Sequence, residues 1–294
     1  MKILCFGSLN IDHTYQVDHF LEPGETSAVT GYDIHAGGKG LNQAIALAKA
    51  GAEVYMAGCV GHDAEELLKA LTGAGVHTDF VKEVETPSGH AVIQVDRTGQ
   101  NCILIFHGAN FCITQEQIDK TLKEFAECDV LLLQNEICLI DELARKAKAA
   151  GLELWLNPSP ITQDLISGDA VKLADGLVLN ELELAALAGT NDLEKGIATL
   201  RSRYPGQKLV LTLGEQGAIY IGEGHTYRQP AFPVAAVDTT GAGDTFLGYF
   251  LAGFLTSRSP EKAMSFAAKA SSIAVTRVGA AEAIPYAQEV ENSF

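Results

Sequence analysis

The feature that most restricts the fold of this sequence is a regular alternation of short apolar segments with longer segments of helical periodicity. The first apolar segment, residues 3–7, lies directly after the start of the chain. Continuously apolar runs are typical of parallel strands buried on both faces, and helices supply the crossovers between such strands. The pattern therefore predicts an α/β fold with helices on both faces of a parallel sheet. The other apolar segments are residues 54–58, 130–133, 152–156, 177–179 and 209–213.

Glycines mark the ends of the helical segments. Glycine is favoured just after a helix because it adopts the left-handed conformation without strain. With no internal repeat and no linker along the sequence, we expect a single α/β domain over residues 1–294. The three helical segments that end in this way are 41–50, 64–74 and 139–150, followed by Gly51, Gly75 and Gly151.

Two segments interrupt the alternation. Residues 11–36 have extended character with a turn at Pro23 and Gly24, and residues 89–108 have the pattern of a hairpin that turns at 97–100. We expect these segments to form one small antiparallel sheet outside the main layers. Near the binding edge of an α/β sheet, such an addition would act as a lid. The alternative is a surface sheet without a role in function.

Charge and composition exclude several classes of partner. Acidic residues outnumber basic ones by 37 to 21, which gives a net charge of −16 without a compensating basic block. Duplex nucleic acid and anionic membranes are therefore not expected as partners. The six cysteines form no CxxC pair, no apolar segment reaches the ~20 residues that span a bilayer, and the first strand begins without a signal sequence. We therefore expect a cytoplasmic protein.

The most informative motif is residues 237–246, VDTTGAGDTF, which precede a helical segment. A glycine-rich turn that enters a helix leaves backbone N–H groups unpaired, and the helix dipole adds partial positive charge there. Gly241 and Gly243 permit close approach of a phosphoryl group. Asp244 could accept the proton of an attacking hydroxyl. The alternative is a tight turn in which Asp244 only caps the helix.

A second glycine cluster, residues 37–42 (GGKGLN), also begins a helix. It is not a phosphate-binding P-loop, because Gly40 follows Lys39 where serine or threonine is required. The cluster instead predicts close approach of the backbone to a small ligand, with the Asn42 amide bonded to two of its hydroxyls. The alternative is a helix start whose glycines, Gly38 among them, only relieve crowding.

Polar residues follow several predicted strands at the edge where open α/β sheets bind ligands. Asn10 and Asp12 follow the first strand and Glu136 follows another. A carboxamide beside carboxylates suits a polyhydroxylated ligand, although turn formation would also explain these residues. Asn180 and Glu183, three apart on a helix face, could organise Mg²⁺ through water or form a capping box.

Together, these motifs resemble the ribokinase (PfkB-type) family of ATP-dependent carbohydrate kinases, from residue 7 to about residue 285. Its two signature regions correspond to residues 37–63 and 238–246, which are specific in combination. The resemblance implies a Rossmann-like α/β/α sandwich with a β-sheet lid. It also implies ATP as phosphoryl donor, Mg²⁺, activation by K⁺, and a homodimer formed through the lid.

The resemblance also assigns roles at matching positions. Asp244 corresponds to the catalytic base, and Gly241, Ala242 and Gly243 to the anion hole. The K⁺ set includes Ala283, which lacks the hydroxyl that the family usually has there. The sugar contacts would be Asn10, Asp12, Gly38, Lys39, Gly40, Asn42 and Glu136; the nucleotide and Mg²⁺ contacts Asn180, Glu183, Thr212, Gly214, Gly217 and Gly243; and the K⁺ ligands Asp238, Thr240, Ala274, Arg277, Gly279 and Ala283.

The resemblance implies phosphorylation of the primary hydroxyl of a pentose, with D-ribose to D-ribose 5-phosphate as the expected reaction. Other sugars such as deoxyribose or a hexose remain open. A nucleoside substrate also remains open, because Tyr15, Phe20 and Tyr32 of the lid offer an aromatic slot for a base. A sugar-binding homologue without catalysis would be expected to have lost Asp244 or an anion-hole glycine, and this sequence retains them.

Overall fold

The computed structural model describes residues 1–222 and 224–294, and it contains thirteen strands within these ranges. Most are four to seven residues long, as is usual for strands in globular proteins. They are β1 (Ile3–Phe6), β2 (Asn10–Gln16), β3 (Gly31–Gly37), β4 (Val54–Val60), β5 (His77–Glu83), β6 (Gly89–Val95), β7 (Asn101–Phe106), β8 (Val130–Gln134), β9 (Glu153–Asn157), β10 (Gly176–Asn180), β11 (Lys208–Thr212), β12 (Ala218–Gly222) and β13 (His225–Gln229).

The helices connect most of these strands. The predicted helix ends are confirmed, because Gly51, Gly75 and Gly151 adopt positive φ angles of 95°, 87° and 82° just after their helices. The described residues contain α1 (Lys39–Lys49), α2 (Glu65–Gly73), α3 (Gln115–Leu122), α4 (Ile140–Ala149), α5 (Gln163–Ser167), α6 (Ala170–Leu173), α7 (Glu181–Ala188), α8 (Leu193–Arg203), α9 (Ala242–Ser257), α10 (Pro260–Ala274) and α11 (Ala287–Glu291). Every helix in this part of the chain is too short or too polar to cross a lipid bilayer.

Nine of the described strands form the central sheet, in the order β13-β12-β11-β10-β9-β8-β1-β4-β5. The strands from β11 to β5 in this order pair in parallel, and β12 and β13 add an antiparallel edge. All six apolar segments of the sequence form strands of the parallel part. The expected parallel sheet is therefore confirmed for seven of the nine strands, and β12 and β13 make the whole sheet mixed.

Helices cover both faces of the central sheet. Along β1, Ile3 and Cys5 face one apolar core, whereas Leu4 and Phe6 face the other. Helices α1, α2, α9 and α10 contribute to the first core, and α3, α4, α7 and α8 to the second. Because interior strands such as β1 and β8 are covered on both sides, their residues are all buried and almost all apolar. The predicted α/β/α sandwich is confirmed.

A second sheet has the order β3-β2-β6-β7 and is formed by the two segments that interrupt the alternation. Its hairpins β2–β3 and β6–β7 are antiparallel, but β2 and β6 pair in parallel. The expectation of a wholly antiparallel sheet is therefore wrong. Both β2 and β6 follow parallel strands of the central sheet, β1 and β5, so both leave the core from the same edge and run in the same direction.

Close packing of α1 brings its first turn to the end of β1. A Cβ at Gly40 would overlap the backbone of Ser8, so only glycine permits this approach. Along its length α1 packs on α9, where a Cβ at Gly248 would overlap Ala46. The N-terminal ends of both helices therefore lie at the carboxyl edge of the central sheet.

Candidate active site

The carboxylate of Asp244 lies at the third position of α9, after Gly241, which has a φ of 69°. The residue is only 8% exposed. Its Oδ2 accepts a hydrogen bond from Asn42 Nδ2 at 3.2 Å, and its Oδ1 accepts one from Gln43 Nε2 at 2.8 Å. Two amides of α1 therefore hold a buried carboxylate at the tip of another helix.

The backbone around Asp244 forms a helix N-terminus. The N–H of Ala242 donates to the carbonyl of Thr239 at 3.2 Å within the turn. Open space lies where a Cβ at Gly243 would be, and no described residue accepts a hydrogen bond from the N–H of this glycine. The end of α9 thus offers free N–H and partial positive charge, which stabilise an anion.

Glu136 lies beside the first turn of α1. It is 7% exposed, and it accepts hydrogen bonds from the Ser8 hydroxyl and from the N–H of Lys39, the latter at 3.1 Å. The Ser8 oxygen in turn accepts a hydrogen bond from the N–H of Gly40 at 3.2 Å. The glycine cluster, the end of β1 and the end of β8 are therefore fixed to one another.

Asp12 and Lys39 carry unlike charges in the same region. Burial raises the pKa of Asp12 to about 7, with further contributions from the charges of Glu136 and Glu282. Burial alone would lower the pKa of Lys39, but the negative charges of Asp244, Glu136 and Glu183 outweigh burial and raise it. Lys39 therefore lies within electrostatic range of Asp244 and Glu136, and Asp12 within range of Glu136.

Asn10 is almost fully buried at the start of β2. Its Oδ1 accepts a hydrogen bond from Asn110 Nδ2 at 2.7 Å, so its own amide nitrogen is oriented away from Asn110. Gly38, with a φ of 91°, passes close to the backbone of Asn10. Asn10 and Gly38 thus lie together where the second sheet joins the core.

A cavity of about 560 Å³ lies beside the N-terminal end of α9, where Ala242 and Gly243 form part of its wall. Apolar residues such as Phe232 and Ala268 form much of its wall, which suits a flat heterocycle. Asn180 pairs with Thr212 across neighbouring strands and forms a capping box with Glu183, as the alternative interpretation of these two residues predicts. Among the expected nucleotide contacts, the cavity wall includes Thr212, Gly214, Gly217 and Gly243.

The sequence and the fold were compared with known proteins. A profile of the pfkB family of carbohydrate kinases matches residues 1–287, nearly the whole chain. The chain belongs to the pfkB carbohydrate kinase family. The resemblance suggested by the glycine motifs is therefore confirmed, and so is the expected class of enzyme.

Individual pfkB relatives match over nearly their full length. A ribokinase of Haemophilus influenzae is 34% identical over 296 residues, covering 98% of this chain and 96% of the relative. A deoxyribokinase of Salmonella typhi is also 34% identical and covers 97% and 96%. A ribokinase structure from Arabidopsis thaliana, complexed with ribose and ATP, superposes with a TM-score of 0.87 at 30% identity, covering 99% of this chain and 97% of that one.

The pfkB kinase also brings together the residues expected to surround a monovalent cation. The Asp238 carboxylate accepts hydrogen bonds from the N–H and hydroxyl of Thr240 and from the N–H of Gly279, at 2.6–2.9 Å. Burial alone would raise the pKa of Asp238, but these hydrogen bonds outweigh burial and lower it. The loop before α9 is thereby fixed to the segment after α10.

The other residues expected to surround the cation lie at the end of α10 and in the segment that follows it. The N–H of Arg277 donates to the carbonyl of Ala274 at 3.0 Å, and its guanidinium lies 3.5 Å from the carbonyl of Ala283. Carbonyl and carboxylate oxygens are the donors that hard cations prefer, so the set is chemically compatible with K⁺. Within the described ranges, no three His, Cys, Asp or Glu side chains form a metal-binding cluster.

Several buried polar residues of this pfkB kinase were not anticipated. They form hydrogen bonds with the expected site residues: Ser8 donates to Glu136, and Asn110 donates to Asn10. Gln43 donates a hydrogen bond to Asp244 and belongs to a row of buried amides with Gln134 and Asn157. The sequence contained one signal for such residues, namely a polar residue within an otherwise apolar helix. A residue of this kind must find a buried hydrogen-bond partner.

Proposed function

We propose that this pfkB kinase transfers the γ-phosphoryl group of ATP to the primary hydroxyl of D-ribose, giving D-ribose 5-phosphate and ADP. The observation that carries the proposal is the buried Asp244 carboxylate at the tip of α9, between the nucleotide cavity and the polar groups near Asp12 and Glu136. Ribose as the sugar is supported by the near-full-length similarity to ribokinases.

The reaction needs the sugar hydroxyl to be aligned and activated. Asp12, Asn42 and Glu136 would accept and donate hydrogen bonds to the other hydroxyls and hold the sugar in one orientation. Asp244 would accept the proton of the primary hydroxyl as its oxygen attacks the γ-phosphorus. The N-terminus of α9 would stabilise the charge on the transferring group. Positioning and charge stabilisation provide most of the acceleration in phosphoryl transfer.

Mg²⁺ and K⁺ belong to the proposal through the chemistry of the residues near them. Mg²⁺ is usually held by phosphate oxygens, water and few carboxylates. Glu183 fits this mode, because its second carboxylate oxygen is not part of the capping box. When bound, Mg²⁺ neutralises charge on the phosphates. K⁺ would bind among the Asp238 carboxylate and the neighbouring backbone carbonyls.

We further propose a homodimer formed through the lid and a cytoplasmic location. Among the described cysteines every one is a free thiol, which suits a reducing compartment. A second copy of this chain is the proposed occupant of the lid, because apolar side chains on its two edge strands, β3 and β7, lie open to solvent. These residues are Ile34, Ile103, Leu104, Ile105 and Phe106, each between 47% and 68% exposed.

An assay of ADP release tests the proposed reaction. The panel contains D-ribose, 2-deoxy-D-ribose, D-fructose and adenosine, each with ATP and Mg²⁺, with and without K⁺. Ribose should give the highest kcat/KM, and phosphorus NMR should place the phosphate on the primary carbon. A higher kcat/KM for deoxyribose, fructose or adenosine would replace ribose as the substrate. Sugar binding without ADP release would instead support a non-catalytic homologue.

A further inference from the structure

A row of buried amides lies beneath the Asp244 carboxylate. Gln43 is fully buried, and its Nε2 donates to Asp244 Oδ1 at 2.8 Å and to Asn157 Oδ1 at 3.1 Å. Its Oε1 accepts a hydrogen bond from Gln134 Nε2 at 2.7 Å. Gln43 does not line the proposed sugar or nucleotide sites through any contact described above, so its role must be exerted through Asp244.

The orientation of the Gln43 amide is determined by its neighbours. Asn157 Nδ2 donates to the carbonyl of Val178 at 2.9 Å, so Asn157 must present its oxygen to Gln43. If the Gln43 amide were turned over, its oxygen would face this oxygen and the Asp244 carboxylate, both of which only accept hydrogen bonds. A backbone carbonyl of the central sheet therefore orients, through two amides, the donor that meets Asp244.

Resting on the proposed function, we propose that Gln43 is a positioning residue that keeps the Asp244 carboxylate ionised and aimed at the sugar hydroxyl. A hydrogen bond donated to a carboxylate away from water favours its charged form. Since Oδ1 is held by Gln43, Oδ2 is the oxygen that faces Asn42 and the substrate side. Fixing a reacting group in one rotamer is what efficient catalysis requires.

The other titratable groups near Asp244 behave differently over the working pH range. On α1, the raised pKa of Lys39 keeps this residue charged. On β1, burial raises the pKa of Cys5 to about 12, so the thiol stays neutral. Glu136 and Glu183 also act on Lys39. Asp12, whose pKa is raised to about 7, titrates within the range but belongs to the sugar subsite. Measuring kcat at saturating ribose separates the two carboxylates.

The test compares Gln43→Met with the wild-type enzyme. Methionine has a similar length but no N–H to donate. We expect kcat to fall about 10- to 100-fold, the amount associated with one hydrogen bond to a charged group. The KM for ribose should stay nearly constant, and the acid limb of the kcat profile should move by about one pH unit or more toward higher pH. Calorimetry should still detect ribose binding.

Two further variants make the result decisive. Gln43→Glu has the same shape but puts a second carboxylate against Asp244, so the acid limb should move further than in Gln43→Met. Gln117→Met is the matched control, because Gln117 is a buried glutamine that donates to the carbonyl of Gly58 at 2.8 Å, away from the site. It should lower the melting temperature and leave the kcat profile unchanged.

A failure of the positioning role and a failure of the proposed reaction give different experimental results. If both Gln43 variants keep the wild-type acid limb and kcat while Asp244→Asn is inactive, the positioning role is overturned and the proposed reaction stands. A loss of kcat at an unchanged acid limb, matched by Gln117→Met, would reduce Gln43 to a packing residue and also overturn the proposal. If Gln43→Met does not fold, the isosteric Gln43→Glu decides through its acid limb. Wild-type protein that does not phosphorylate ribose would refute the proposed function itself.

Discussion

At the scale of single residues, the burial of Asp12 lowers the stability of the folded protein once its carboxyl group is ionised. Its pKa is raised from 3.8 to about 7 in the folded protein. Between these two values the folded chain holds a proton that the unfolded chain has released. The free energy of unfolding therefore decreases as pH rises from about 4 to about 7. The ionised Asp12 carboxylate near Glu136 is thus destabilising in the folded protein.

We predict that Asp12→Asn stabilises the sugar-free protein at about pH 8, because it removes a charge that burial and Glu136 disfavour. The same variant should raise the KM for ribose, since an acceptor for the sugar hydroxyls is lost. Melting temperatures measured between about pH 5 and pH 8 provide the check. The exposed Asp79 offers a control, and Asp79→Asn should leave this pH dependence unchanged. A melting temperature of Asp12→Asn that stays below wild type at about pH 8 would contradict the prediction.

The proposed role of Asp244 as general base makes a second prediction at this scale. Asp244→Asn keeps the shape of the side chain but cannot accept a proton. We expect kcat to fall by about 10²- to 10⁴-fold, the usual contribution of a general base. Ribose binding, measured by calorimetry, should change little, because Asp12 and Glu136 remain. A variant that retains most of its turnover would show that another group accepts the proton.

At the scale of secondary-structure elements, the site depends on how closely α1 packs on α9. Gly248 lies against Ala46 and the backbone of Leu47, so a methyl group there must push the two helices apart. Overpacking of this kind usually costs about 1–3 kcal/mol. The same displacement would separate Asn42 and Gln43 on α1 from Asp244 on α9.

We therefore predict that Gly248→Ala lowers both the melting temperature and kcat. Denaturant unfolding and steady-state kinetics measure the two effects. Gly73→Ala is a matched control, because a Cβ at this position of α2 would meet open space. It should be neutral or stabilise the protein by up to about 1 kcal/mol. If Gly248→Ala were as stable and active as Gly73→Ala, the contact between α1 and α9 would not control the site.

Sequence patterns predicted the interior elements better than the edges. Strands such as β1 and β8 are buried on both faces, so their apolar runs are unmistakable. In contrast, β5 and β13 form the edges of the central sheet and contain exposed polar residues, and neither was predicted. The strand β12, which lies beside β13, was also not predicted although it is buried. The parallel pairing of β2 with β6 was also missed, because pairing between distant segments leaves no local pattern.

The positions of the candidate site residues were predictable where the proposed chemistry requires a particular residue type next to a strand or a helix. The glycines before α1 and α9 indicated anion and ligand contacts, and the residues after the strands lie at the expected edge. Gln43 was not anticipated, since its importance depends on Gln134 and Asn157, which lie far away in sequence. Such three-dimensional support has no spacing that a single sequence reveals.

At the scale of the whole molecule, two properties act in opposite directions on self-association. The chain carries a net charge of −16, so two copies repel each other at low ionic strength. The lid, however, exposes apolar side chains at its β7 edge, including Leu104 at 68% exposure. Burial of such side chains between two lids would stabilise a dimer, and salt would reduce the repulsion.

We therefore predict a dimer in solution that becomes tighter as salt concentration increases. Leu104→Glu adds a charge to the apolar edge and should shift the protein to monomer in analytical ultracentrifugation. Leu182→Glu is the matched control, because Leu182 is a leucine of α7 with 79% exposure outside the lid, and its replacement should leave the mass unchanged. Since hydrophobic association tolerates salt whereas charge attraction does not, a wild-type dimer that dissociates at high salt would contradict the lid interface. Equal masses for wild type and Leu104→Glu would contradict it as well.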